Sequence, residues 1–161
     1  KASGFTAQIE TFDLPALISG ILEDFADLFS EKNMDIITEM EPRRMISADR
    51  RLFAKVIGNL LSNAYHYSPA GEKIHIRVED TDQGVQFMVE NTGVHIPEQE
   101  IADLFEAFTR WEQSRNRETG GSGLGLVITR QIIESHHGTL TCDSRPGDGC
   151  TFTIALPLTQ N

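Results

Sequence analysis

Cysteine is scarce, with two in 161 residues, and that excludes a disulfide framework. Cys142 and Cys150 flank a hairpin turn expected at Arg145-Pro146-Gly147-Asp148-Gly149. That turn places Cys150 nearer Ser144 than Cys142, so a disulfide is poorly registered and free thiols in a reducing compartment are expected. Long apolar runs are also missing; none approaches the ~20 residues needed to span a bilayer. The start, Lys1-Ala2-Ser3-Gly4, is polar and shows no signal-peptide pattern. Positive charge is in deficit, with 14 Lys and Arg against 24 Asp and Glu and a net charge of −10. This argues against a general nucleic-acid binder. It does not exclude an anionic ligand, because backbone N–H groups and a metal can hold one. Internal repeats are absent. What remains, at 39% hydrophobic and 24% charged, is ordinary for one globular domain over residues 1–161 with a real core.

Hydrophobic periodicity sets out the elements. Gln8 to Phe12 is a short strand, and Asp13 can cap the helix after it. Leu14, Leu17, Ile18, Ile21, Leu22, Phe25, Leu28 and Phe29 then recur at helical spacing. Met34 to Glu39 reads as a second strand. Asp49 can cap a second helix with Leu52, Phe53, Val56, Ile57, Leu60, Leu61 and Ala64 on its core face. Ile74, Ile76 and Val78 share one strand face and Val85, Phe87 and Val89 another, with a turn at Asp82-Gln83-Gly84. A polar stretch from about Pro97 to Gly121 interrupts the sheet. A third helix runs from about Gly123 to His136 with Gly138 as its C′ residue. A last hairpin pairs Leu140 and Cys142 with Phe152, Ile154 and Leu156. The fold class is α/β: a two-layer sandwich of three helices on a mixed, mostly antiparallel sheet.

Gly120-Gly121-Ser122-Gly123-Leu124-Gly125-Leu126 packs four glycines into six positions ahead of a helix. Glycines let a backbone approach a bulky anion, and a helix start offers free N–H groups and a positive dipole end. The pair makes a phosphate cradle; taken alone, such a run is as often a linker. Asn59 and Asn63 lie four apart on the second helix and His66 three further on, so they share a face. An amide oxygen is a hard, neutral ligand suited to Mg²⁺, yet in isolation the row reads first as a solvated polar face. Glu90-Asn91-Thr92-Gly93 closes a strand, where a polar side chain can face a ligand cleft or simply make a turn.

In order, the chain shows Asn59-x-x-x-Asn63, Asn91-Thr92-Gly93, Leu104-Phe105-Glu106-Ala107-Phe108, Gly121-Ser122-Gly123-Leu124-Gly125-Leu126 and Gly147-x-Gly149-x-Thr151. This series resembles the N box, first glycine box, F box, second glycine box and Gly-Thr motif of the catalytic, ATP-binding domain of bacterial sensor histidine kinases. The resemblance implies a Bergerat fold and an ATP site. Asn63 is then the Mg²⁺ ligand, and Asn59 supports metal and phosphates. His66 stands where many relatives carry a phosphate-contacting Lys, and Tyr67 packs near the nucleotide. Asn91, Gly93 and Ile96 belong to the base pocket. Gly121, Gly123, Leu124, Gly125 and Leu126 belong to the phosphate cradle, and Thr151 of the Gly-Thr motif is a further cofactor-binding residue. Arg110 resembles the Arg that reaches the γ-phosphate during transfer, with Arg115 and Arg117 as further lid cations. Residues 97–121 form a mobile lid.

Departures from the family pattern matter too. Asn91 replaces the usual adenine-binding Asp; its oxygen accepts the same bond while its NH₂ adds donors, so relaxed adenine selectivity is expected. Val94 and His95 follow Gly93 directly, without the box's second glycine. Related ATPases place a Glu where Asn59 stands, and a neutral amide cannot act as a general base. None of the five histidines has the His-Glu-x-x-x-Pro acceptor context; His136 and His137 read as residues of a helix end. The resemblance therefore implies a kinase domain that holds Mg²⁺-ATP for a histidine on a separate dimerisation domain upstream. The response regulator is an indirect partner. The isolated domain is expected to be monomeric and the intact kinase homodimeric, in the cytoplasmic part of a membrane-anchored sensor. An ATPase of the same fold and a non-enzymatic docking module are the alternatives.

Overall fold

The computed structural model describes residues 8–40, 44–93, 124–145 and 149–157. In chain order these form β1 (Glu10–Asp13), α1 (Leu14–Glu31), β2 (Asp35–Glu39), β3 (Met45–Ala48), α2 (Arg50–Tyr67), β4 (Lys73–Thr81), β5 (Gly84–Asn91), α3 (Leu124–Ser135), β6 (Thr139–Arg145) and β7 (Gly149–Pro157). A five-stranded sheet has the order β2-β4-β5-β7-β6. Only β2 and β4 run parallel there; the other pairs are antiparallel. A separate ribbon pairs β1 with β3. The expected two-layer α/β sandwich is what the described residues form.

The alternation in β4, β5 and β7 sends one row of apolar side chains to the helices. Ile76 faces Val89 and Val89 faces Phe152, so three buried residues line up across three strands. α2 lies over them with Leu52, Phe53, Val56, Ile57, Leu60, Leu61 and Ala64 all buried. Fully burying a side chain of this size contributes about 1.5–3 kcal/mol, so this stripe fixes the face α2 turns to the sheet. Asp49 caps α2 as expected: its Oδ1 accepts from Leu52 N at 3.1 Å. That leaves the flanking stripe of α2, with Asn59, Asn63 and His66, half-buried at the margin of the core.

Three local expectations are corrected. Asp13 stands at the N-cap of α1 but makes no side-chain cap bond. Its Oδ1 accepts instead from Arg44 N at 3.1 Å, tying α1 to the start of β3. β3 was not foreseen in the sequence; its four residues pair antiparallel with β1. The third helix ends through His137, which takes the left-handed conformation at φ 64, not through Gly138. Gly138 N donates to Ile133 O and His137 N to Glu134 O, each at 3.0 Å, the bond pattern of a Schellman cap.

Candidate nucleotide site

The polar stripe of α2 meets α3 first. Asn59 Nδ2 donates to Thr129 Oγ1 at 3.1 Å. Thr129 is fully buried in α3, so this amide joins α2 to the helix that follows the glycine run. One turn on, Asn63 Nδ2 is buried and has no hydrogen-bond partner among the described residues. An orphaned buried amide costs about 1–3 kcal/mol, and a ligand oxygen seated beside it removes that cost. The amide's other corner is an oxygen of the kind Mg²⁺ takes. Among the described residues no cluster of three or more His, Cys, Asp or Glu is spaced to hold a metal ion.

The last turn of α2 is held from outside. Lys32, at the end of α1, donates through Nζ to Tyr65 O and stands 4.6 Å from the centroid of the Tyr65 ring. A cation at a helix C-terminus meets the negative end of its dipole. Burial, then the charge of Lys32, holds the His66 pKa below its ordinary value. His66 is therefore neutral at neutral pH and brings no positive charge to a phosphate. Tyr67 is the last residue of α2 and is half-buried.

Asn91 closes β5 and is 3% exposed. Its Nδ2 donates to Ser68 Oγ at 3.1 Å, across the end of α2. Ser68 was not foreseen as a site residue; its only sequence signal is a polar side chain directly after the helix. One of the amide's hydrogens is thus engaged, and no hydrogen bond to Oδ1 is made among the described residues. The neighbouring strand end is stapled by Thr92. Its Oγ1 donates to Glu72 Oε1 at 2.7 Å and accepts from Lys73 N at 2.8 Å. Gly93 has φ 78, and a Cβ there would meet the Glu72 side chain at 2.4 Å.

Thr151 does not join Asn91. The residue opposite Asn91 on β7 is Cys150, while Thr151 lies opposite Glu90. Because strand side chains alternate, Thr151 points to the other face of the sheet, where its Oγ1 donates to Glu90 Oε2 at 3.4 Å. Thr151, expected as a cofactor-binding residue, thus lies on the face away from Asn91, and Cys150 is the β7 residue on the Asn91 side. Gly149 precedes it at φ 100, and a Cβ there would come within 2.3 Å of Asn91 O. The cysteine expectation changes as well. The register is as foreseen, with Ser144 opposite Cys150, and both thiols are unlinked. Yet their sulfurs stand 3.3 Å apart, since diagonal side chains lean towards each other.

Leu124 and Gly125 open α3, and Leu126 is buried in the core, so its side chain serves packing. Ile96, Arg110, Arg115, Arg117, Gly121 and Gly123, with the expected lid at 97–121, lie outside the described residues. A groove of about 680 Å³ between α1 and β2, lined by Leu22, Phe29, Met34 and Ile36, contains none of these site residues.

Residues 48–160 match the family described as histidine kinase-, DNA gyrase B-, and HSP90-like ATPase. The chain belongs to that family. Adaptive-response sensory kinase SasA of Microcystis aeruginosa is 37% identical over 162 residues, covering 98% of this chain and 41% of that protein. The chain spans about two-fifths of the length of the curated relatives it matches. Among solved structures, the catalytic domain of histidine kinase ThkA superposes with a TM-score of 0.84 at 31% identity, over 95% of this chain and 97% of that one. ThkA in complex with the response regulator protein TrrA superposes at 0.80 and 29% identity, with 96% of this chain on 43% of that one. The chain thus has the fold of a histidine kinase catalytic domain, and relatives of this family member are named as kinases. No helix among the described residues is long and apolar enough to cross a membrane.

Proposed function

We propose that this chain, as one domain, binds Mg²⁺-ATP and presents its γ-phosphoryl group to a histidine on a separate dimerisation domain of a two-component sensor kinase. The observation that carries this reading is the orphaned Asn63 amide beside Asn59, on a helix whose end also fixes Asn91. The resemblance to sensor histidine kinases assigns these three positions to metal, phosphates and base. Asn63 would hold the metal, which when bound supplies charge neutralisation at the phosphates. Asn59 keeps α2 against α3, where the glycine run enters, and being a neutral amide it takes no proton from water. Asn91 Oδ1 accepts from the adenine amino group. His66, neutral, leaves positive charge on the moving phosphoryl to Arg110 in the lid. Transfer then depends on positioning and on charge stabilisation. The whole protein would be a homodimeric, membrane-anchored sensor with this domain in the cytoplasm and a response regulator downstream.

Radiolabelled ATP tests this, with the chain and its cognate histidine-bearing domain mixed in trans. The expected product is an acid-labile, base-stable phosphohistidine on the second domain, formed while the chain alone turns ATP over very slowly. Arg110→Ala should impair transfer more than binding. Brisk hydrolysis by the chain alone would identify an ATPase instead, and tight ATP binding with no transfer would identify a docking module.

A further inference from the structure

The proposed phosphoryl transfer makes no use of Cys142 and Cys150. Their sulfurs nonetheless stand 3.3 Å apart across β6 and β7. Cys150 is fully buried and Cys142 half-buried. Cys142 lies opposite Phe152 and Cys150 opposite Ser144, so the two are diagonal neighbours on the face that packs on the helices. Closing the sulfurs from 3.3 Å to a bond of about 2.03–2.05 Å pulls on β7 at Cys150. That part of β7 is also the partner of Asn91 on β5. The preceding Gly149 sits so close to the Asn91 carbonyl that no side chain fits between them. A displacement there cannot leave Asn91 where it was, because the strand contact has no slack to absorb it.

We propose that Cys142 and Cys150 form a redox modification site, whose reversible disulfide displaces the strand pair holding Asn91 and so weakens nucleotide binding. The effect on nucleotide rests on the ATP reading above; formation of the bond does not. The oxidant is hydrogen peroxide. The more accessible Cys142, as thiolate, attacks a peroxide oxygen; the O–O bond breaks, a sulfenic acid forms, and the departing hydroxide takes up the proton shed by Cys142 and leaves as water. The Cys150 sulfur then attacks that sulfenic sulfur; the S–S bond forms, the S–O bond breaks and a second water leaves with the Cys150 proton. Two thiols lose two electrons and two protons, and the peroxide takes up both. A dithiol reductant reverses the change by exchange. The contact with Cys150, then burial, then the charges of Cys150 and Asp143 push the Cys142 thiol up. Thiolate is accordingly scarce at neutral pH, and the site answers sustained exposure rather than brief pulses.

The test treats the whole chain with hydrogen peroxide, blocks remaining thiols and weighs it intact. The expected product is a monomer lighter by about 2 Da for two lost hydrogens, with both thiols lost together and restored by dithiothreitol. Hydrogen exchange over 88–91 and 149–152 should differ between oxidised and reduced forms. The Kd for ATP should rise by about fivefold or more on oxidation, the lower end of ordinary coupling between sites. Cys142→Ser should bind ATP like the reduced chain and lose the mass change and the response; Cys150→Ser checks the second thiol. Gains of about 16 or 32 Da without the bond, or disulfide-linked dimers, would overturn the proposal. So would a closed bond that leaves exchange and Kd unchanged. A reduced chain that binds no ATP would sink the ATP reading instead, and mass and exchange would still decide the redox site.

Discussion

Replacing Ser68 by alanine asks how the base pocket selects its ligand. Asn91 is 3% exposed, and its Nδ2 donates to Ser68 Oγ at 3.1 Å. That bond holds the amide in one of two orientations and presents Oδ1 as an acceptor. An adenine amino group donates to such an oxygen; guanine carries a carbonyl at the corresponding place and does not. Loss of the hydroxyl removes a neutral hydrogen bond of about 0.5–1.5 kcal/mol net and frees the amide to turn its NH₂ to a guanine carbonyl. At 1.4 kcal/mol per factor of ten, the preference for ATP over GTP should fall by roughly 2- to 12-fold. The orphaned Nδ2 also costs stability, about 1–3 kcal/mol, which for a chain of this size lowers Tm by roughly 2–12 °C. Calorimetric titration of ATP and GTP, well below that melting point, gives both affinities. Asn91→Asp serves as the reference, since a carboxylate offers no donor to guanine and discrimination should sharpen. An ATP-to-GTP ratio unchanged by Ser68→Ala would refute the argument that Ser68 orients the amide.

Asn63→Ala should remove most of the Mg²⁺-dependent part of ATP affinity without lowering stability, because the Nδ2 it removes has no hydrogen-bond partner among the described residues; titrations with and without Mg²⁺ check it. Burial raises the Asp49 pKa, but donors from Gln8, Leu52 and Arg51 and the Arg51 charge outweigh it, so the folded value lies below the ordinary one. Its stabilisation is therefore complete above the ordinary aspartate range and is lost as pH falls through the folded value. Asp49→Asn, which still caps, should flatten that acid limb in urea melts followed from pH 6 down to pH 3, about the range over which carboxylates titrate. His136 accepts from Asp49 N through Nε2 at 3.0 Å, lies 2.8 Å from Ile132 O through Nδ1 and meets the Phe53 ring edge-on at 5.3 Å. His136→Leu orphans a buried N–H and loses the ring contact, so a cost of about 2–4 kcal/mol in chemical denaturation is expected; a change under about 0.5 kcal/mol would show that the ring is a spectator.

Periodicity along the chain was enough to determine the layers. The core stripe of α2, the alternation of β4, β5 and β7 and the Asp49 cap are local, and local spacing with short-range hydrogen bonds decides each. The order of the amide and glycine motifs likewise pointed to the family before any contact was known. Tertiary structure alone decided who meets whom. Ser68 reaches Asn91 across 23 positions and His136 reaches Asp49 across 87. No pattern within either segment encodes those pairings, because they arise when two layers close on a common core. Thr151 shows the same limit at the scale of one residue. The Gly-x-Gly-x-Thr spacing names a motif, but a period of two sends adjacent residues to opposite faces, and only the pairing of β7 with β5 shows that Cys150 shares the face of Asn91. The thiols illustrate it once more: the register that separates them is legible in the turn, while the lean that brings them together belongs to the packed sheet.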